Sequence, residues 1–156
     1  MSDQSPFPTI ATDLLEAVEA ALPKLRSIPE AEAARPRAPG KWSPKQVIGH
    51  LIDSASNNHQ RFVRAQLSAE LTIPDYEQNR WVSSQDYQSR PWGELIDLWV
   101  HYNHHLAHVI RRIPDAAAGV PCRLGKNEPI TLTALVQHYL GHVRHHLEQI
   151  EQRLAS

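Results

Sequence analysis

A chain of 156 residues, 41% hydrophobic and 21% charged, is long enough for one domain whose core needs neither disulfides nor a structural metal. Its formal net charge of −1 lacks the clustered Lys/Arg excess that phosphate backbones demand, which excludes nucleic acid as the expected partner. Cys122 is the sole cysteine, so no internal disulfide or cysteine-based zinc site can form, and its loop position reads as incidental. The opening MSDQSPFPTI has no basic start followed by an apolar run, and no segment approaches about 20 apolar residues; the expectation is a cytoplasmic protein that does not enter a membrane.

The first predicted helix runs from Thr9 to Ala34, with Ile10, Leu14, Leu15, Val18, Ala21, Leu22 and Leu25 at three-to-four spacing. Pro23 is expected to kink or split it, because proline removes a backbone donor and clashes with the preceding turn. RPRAPGKW then breaks the chain. A second helix opens with Ser43 as N-cap and Pro44 at the first helical position, and continues to Ala69. The connection ELTIPDYEQNRWVSSQDYQSR carries Pro74, Tyr76, Trp81 and Tyr87; a loop of that length either performs a function or covers something, and these aromatics could wall a pocket or pack over helices. The third helix is predicted from Pro91 to Ile113, ending in RRIPD. After AAAGVPCRLGKNEP the fourth starts near Thr131 and runs almost to the end. No β-hairpin pair, repeat or low-complexity tract is evident. The pattern predicts an all-α four-helix bundle, with residues 1–156 as one domain; bundles build metal sites from side chains on facing helices.

QHYLGHVRHHLEQ places His138, His142, His145 and His146 on the fourth helix. Its apolar face comprises Leu132, Leu135, Val136, Tyr139, Leu140, Val143, Leu147, Ile150 and Leu154. On a helical wheel His146 falls roughly 60° from the centre of that face and His142 roughly 100°, at its border, while His138 and His145 lie further round toward solvent. His142 and His146 are thus an i, i+4 pair that could share an ion, or two core-edge histidines satisfied by ordinary hydrogen bonds. The protease form HExxH is excluded, since Val143 follows His142. The third helix carries HYNHHLAH beside an apolar stripe of Leu95, Trp99, Tyr102, Leu106, Val109, Ile110 and Ile113. There His101, His104 and His108 read as a solvated face and His105 as a reserve ligand. Periodicity does not choose His50, which sits off the apolar stripe of the second helix and aligns with Ser54, Asn57 and Arg61; that polar stripe could face solvent or line a cavity.

KWSPKQVIGHLIDSASNNHQRFVRAQL, the Tyr/Trp-bearing connection after it and the late HVRHHLEQI together resemble the DinB-like superfamily, particularly its YfiT-type branch. The resemblance covers nearly the whole chain from Lys41. It implies a four-helix bundle, commonly dimeric, in which three histidines hold a divalent metal: one from the second helix and two, four residues apart, from the last. By position these are His50, His142 and His146. Imidazole donors suit zinc, nickel, iron and copper alike; zinc or nickel is the expectation, with iron as an alternative, together with a small-molecule substrate. It fixes no catalytic base.

Three neutral imidazoles leave a divalent ion its full charge and an open position, the pattern of a catalytic site. The first expectation is transfer of a low-molecular-weight thiol to an electrophile, the ion favouring the thiolate. The alternative is hydrolysis by a metal-activated hydroxide. A non-enzymatic metal-binding or stress-response module stands against both, and a fourth protein ligand would favour it. Asp53 could accept the outer N–H of a ligand histidine or be a surface carboxylate. Arg61 could hold a substrate carboxylate bidentately or form an inter-helix ion pair.

Overall fold

Long helices form where the 3.6-residue apolar period is strongest. The computed structural model describes residues 4–155, and the side chains of residues 4–153. Its helices are α1 (Phe7–Arg26), α2 (Glu30–Ala33), α3 (Pro44–Ala65), α4 (Gln78–Gln85), α5 (Trp92–Arg111) and α6 (Leu132–Ala155). Three short strands, β1 (Leu71–Ile73), β2 (Pro121–Leu124) and β3 (Ile130–Thr131), form one small sheet. The four long helices make the predicted bundle: α1 packs mainly on α5, α3 on both α5 and α6, and α6 also on α1. Phe7, Leu14, Phe62, Leu95, Trp99, Leu106, Val136 and Val143 are among the buried residues that fill the space between them. No helix among the described residues is long and apolar enough to cross a membrane.

The start of α3 follows the sequence closely. Ser43 Oγ accepts the backbone N–H of Gln46, Gln46 Oε1 accepts that of Ser43, and Pro44 needs no donor at the first position. The apolar face expected for α6 is buried from Leu132 to Ile150; Leu154 lies outside the described side chains.

Several expectations are corrected. The first helix does not break at Pro23, which stays inside α1 near its end, where the carbonyl it leaves unbonded is that of exposed Glu19. The break falls at Ser27–Pro29, because a residue preceding proline is disfavoured in helical geometry and Ile28 precedes Pro29. The second helix stops at Ala65 rather than Ala69; Ser68 Oγ donates to the carbonyl of Glu70 and holds a turn. The long connection contains β1 and α4. A β-hairpin does exist: β2 and β3 pair antiparallel, and β1 adds parallel to β2 with Leu71 opposite Cys122. Gly125 turns out of β2 with φ 59°, a conformation glycine adopts without strain, and its N–H bonds the carbonyl of Ile73.

Candidate metal centre

α3 and α6 lie side by side, and their facing surfaces bring His50, His142 and His146 together; one ring nitrogen from each lies within 4.8 Å of the others. The contacts are between Nε2 atoms: His50 to His142 at 3.0 Å, and His146 to His142 at 3.1 Å. Trp42, just ahead of the α3 cap, lies against the His50 ring at a centroid distance of 4.9 Å. Tyr87 packs against the preceding residue, Gly49, where a Cβ would sit 2.2 Å from the tyrosine ring. His50 itself is 1% exposed.

Protonation favours a cation site. Burial, followed by the nearby charges of His142 and His146, pushes the His50 pKa down to about 3. Burial and then His146 and His145 bring His142 down to about 4. Burial lowers His146 also, partly opposed by its hydrogen bond to Gln149. All three are neutral at pH 7, with ring lone pairs available.

The tautomer of His146 is set by its neighbours. The Gln149 amide nitrogen is 3.2 Å from His145 Nε2, which directs Gln149 Oε1 to His146 Nδ1 at 3.0 Å. That oxygen can only accept, so Nδ1 carries the proton and Nε2 turns its lone pair to the cluster. Ser54 Oγ, one turn after His50, lies 3.4 Å from His142 Nδ1 and can accept its proton likewise.

Three nitrogens crowding their Nε2 edges together fit a bound cation. An ion bonded to imidazoles at about 2.0–2.1 Å in tetrahedral geometry separates its ligand nitrogens by about 3.3 Å. The observed 3.0 and 3.1 Å are close to that edge. No cysteine, aspartate, glutamate or further histidine joins the group among the described residues.

Of the other sequence candidates, His138 and His145 are exposed, as their wheel positions predict. His105 is exposed too and outside the cluster; its ring meets His59 at 5.1 Å, and His59 Nδ1 contacts the Tyr102 hydroxyl. Asp53 is buried, yet its partners are not histidines: its Oδ1 accepts from the Tyr87 hydroxyl at 2.6 Å and from Gln85 Nε2 at 2.8 Å. Arg61 is buried and pairs with Asp75. Tyr76 lines a cavity, Trp81 is partly exposed, and Cys122 is buried in β2. Sequence reasoning missed Trp42, Ser54 and Gln149 as supports of the cluster; the i+4 spacing of Ser54 from His50 and the i+3 spacing of Gln149 from His146 were the available signals.

Two cavities flank the cluster. One, about 580 Å³, reaches His146 between Trp42, Val47 and Ile150. The other, about 820 Å³, reaches His142 between Ser54, Tyr76 and Tyr139. Gln78 and Asn79, at the start of α4, border both.

The fold and donor set define a four-helix-bundle protein with a three-histidine cluster open to two cavities. The chain belongs to the DinB superfamily, whose family model matches residues 14–150. It is 23% identical over 132 residues to a protein of Oceanobacillus iheyensis named "Putative metal-dependent hydrolase", covering 85% of this chain and 76% of that one. A Bacillus mycoides protein of the same name is 25% identical over 126 residues, covering 81% and 72%. The fold is similar to that of YfiT from Bacillus subtilis, described as "a probable metal-dependent hydrolase with an unusual four-helix bundle topology", with a TM-score of 0.81 and 19% identity over 98% of this chain and 89% of that one.

Proposed function

We propose that this chain, acting as a single domain, is a metal-dependent hydrolase of a small molecule, with His50, His142 and His146 as the metal ligands. The observation that carries it is the convergence of three neutral Nε2 atoms beside open space, with no fourth protein donor among the described residues. The names of the relatives point to the same chemistry. A divalent ion bound there would supply Lewis acidity and acidify a coordinated water toward neutral pH. The protein's part is to keep the imidazoles unprotonated, to fix the tautomers of His146 and His142 through Gln149 and Ser54, and to cover His50 with Trp42. Imidazole donors suit zinc, nickel or iron. We take the working form to be a cytoplasmic homodimer.

Thiol transfer is the second reading. It is favoured by the two cavities meeting at the cluster, which give separate room to a thiol and an electrophile. One experiment separates them. Protein purified without a His-tag or nickel column is assayed for bound metal, then offered ester, amide and epoxide substrates with and without cysteine as added thiol. Turnover without thiol supports hydrolysis, and turnover only with thiol supports transfer. Less than about 0.2 equivalents of every transition metal, in a preparation free of chelators, refutes both.

A further inference from the structure

The larger cavity has His142 at one end and Arg61 on its α3 wall. Arg61 is 6% exposed, yet its charge is answered by one ion pair, Nη2 to Asp75 Oδ1 at 3.3 Å, long for a charge-assisted bond. Asp75 is itself more than half exposed, and the same oxygen also accepts the backbone N–H of Tyr76. The Tyr76 ring lies 5.8 Å from the guanidinium carbon. A guanidinium has five N–H donors in a planar fork, and among the described residues no further hydrogen bond from it is present. A buried charge is stable only when paired and hydrogen-bonded, so the cavity holds a cation whose donors are largely unspent.

We propose that Arg61 is the anchor for the carboxylate of a small monoanionic substrate whose reacting group lies at the histidine cluster; this rests on the metal-dependent reading above. Charge sets the class. Arg61 and Arg80 line the cavity together with Asp75 and Glu77, and Arg80 is already paired with Glu77 at 2.8 Å. With two charges of each sign the lining carries no surplus positive charge, so a monoanion meets less repulsion from the two carboxylates than a phosphate dianion would.

Length follows from the helix. The histidine that lines this cavity beside α3 is His142, whose Nδ1 lies 3.4 Å from Ser54 Oγ, and Ser54 precedes Arg61 by seven residues on α3, so the two ends of the cavity are on the order of 10 Å apart. That gap is spanned by about three residues of extended chain. The substrate class is therefore an acid of roughly dipeptide to tripeptide length, with its labile bond at the end remote from the carboxylate.

The test uses hexanoate, suberate and the neutral 1,6-hexanediol. Hexanoate titrated into metal-free full-length protein should shift the Arg61 Nε–H resonance, and Arg61→Gln should weaken its binding at least about tenfold, with Arg61→Lys intermediate because the planar fork is lost. Hexanediol should move neither. On zinc-loaded protein suberate, long enough to reach from Arg61 to the cluster, should bind at least about tenfold tighter than hexanoate. Shifts at Arg37 or Lys41 instead, or unchanged binding by Arg61→Gln, overturn the assignment; equal binding of suberate and hexanoate overturns the placement of the reacting end. The resonance shift is read in wild type, so the test survives an unstable variant. Hexanoate binding through Arg61 in a protein that takes up no metal would sink the metal reading and leave the anion site standing.

Discussion

Protons and metal compete for the same three nitrogens, and the buried cluster should make that competition unusually weak. Three imidazoles of ordinary pKa, about 6.5, are each about three-quarters deprotonated at pH 7 and about one-tenth at pH 5.5, which weakens a three-nitrogen site about 8-fold per ligand and about 600-fold in all. Here His50 is held at about 3 and His142 at about 4, so both stay deprotonated throughout that interval. Only His146, lowered as well, can contribute, and the expected loss of zinc affinity is below about 8-fold. The same shifts act on stability. In the unfolded chain His50 and His142 take up protons near pH 6.5, and in the folded protein only near 3 and 4. Their contribution is complete above pH 6.5 and is lost as pH falls toward the folded values. Between pH 7 and 5.5 His50 and His142 together should remove about 2–3 kcal/mol from the metal-free protein. Competition titration against a chromophoric chelator, corrected for the chelator's own protonation, measures the affinity; urea unfolding at both pH values measures the stability. A fall in zinc affinity of more than about 100-fold, with the protein folded by circular dichroism, refutes the picture of a desolvated neutral cluster.

Other substitutions bear on the same centre. His50→Ala, His142→Ala and His146→Ala should each abolish tight metal binding and the metal-dependent part of the melting temperature, while His138→Ala and His145→Ala keep both, as calorimetric titration and thermal melts would show. Gln149→Ala frees the His146 tautomer and should weaken zinc binding about tenfold without removing it, measured by the same chelator competition. Gly49→Ala drives a methyl into the Tyr87 ring and should destabilise the protein by about 3 kcal/mol in urea unfolding; a loss under 0.5 kcal/mol would mean the ring moves freely.

Legibility tracks how local each determinant is. The α3 cap is readable because Ser43, Pro44 and Gln46 satisfy one another within four residues. The buried face of α6 is readable because a single period governs it over five turns. β2 and β3 are not: strands of four and two residues carry no alternation, and the second partner of β2, β1, is about fifty residues earlier, so pairing alone defines them. The helix α4 was hidden for a related reason. Only Val82 of QNRWVSSQ is buried, so no amphipathic stripe marks it.

His50 shows where periodicity misleads. An apolar stripe locates the side of a helix that faces the common core, and His50 lies off that stripe with Ser54 and Arg61. All three are nonetheless buried, because α6, Tyr76 and the segment leading into α4 cover α3 on its polar side. Burial of a polar stripe is costly unless each group has a partner, and the partners here come from distant parts of the chain: His142 for His50 and Ser54, Asp75 for Arg61. Spacing within α3 could therefore group these residues but could not tell a wet face from a lined cavity. Family resemblance could choose His50, since it carries the pairing of helices that single-helix periodicity omits. For Arg61 the stripe it shares with His50 offered a carboxylate anchor or an inter-helix ion pair equally, and the choice between them rests on a three-dimensional imbalance, a largely buried cation that faces a cavity with one long ion pair. If Asp75→Asn were to raise hexanoate affinity by freeing that cation, the imbalance would be shown to serve binding; if it lowered the affinity, Asp75 would instead be orienting the guanidinium fork, and the isotherms of the two proteins distinguish these outcomes directly.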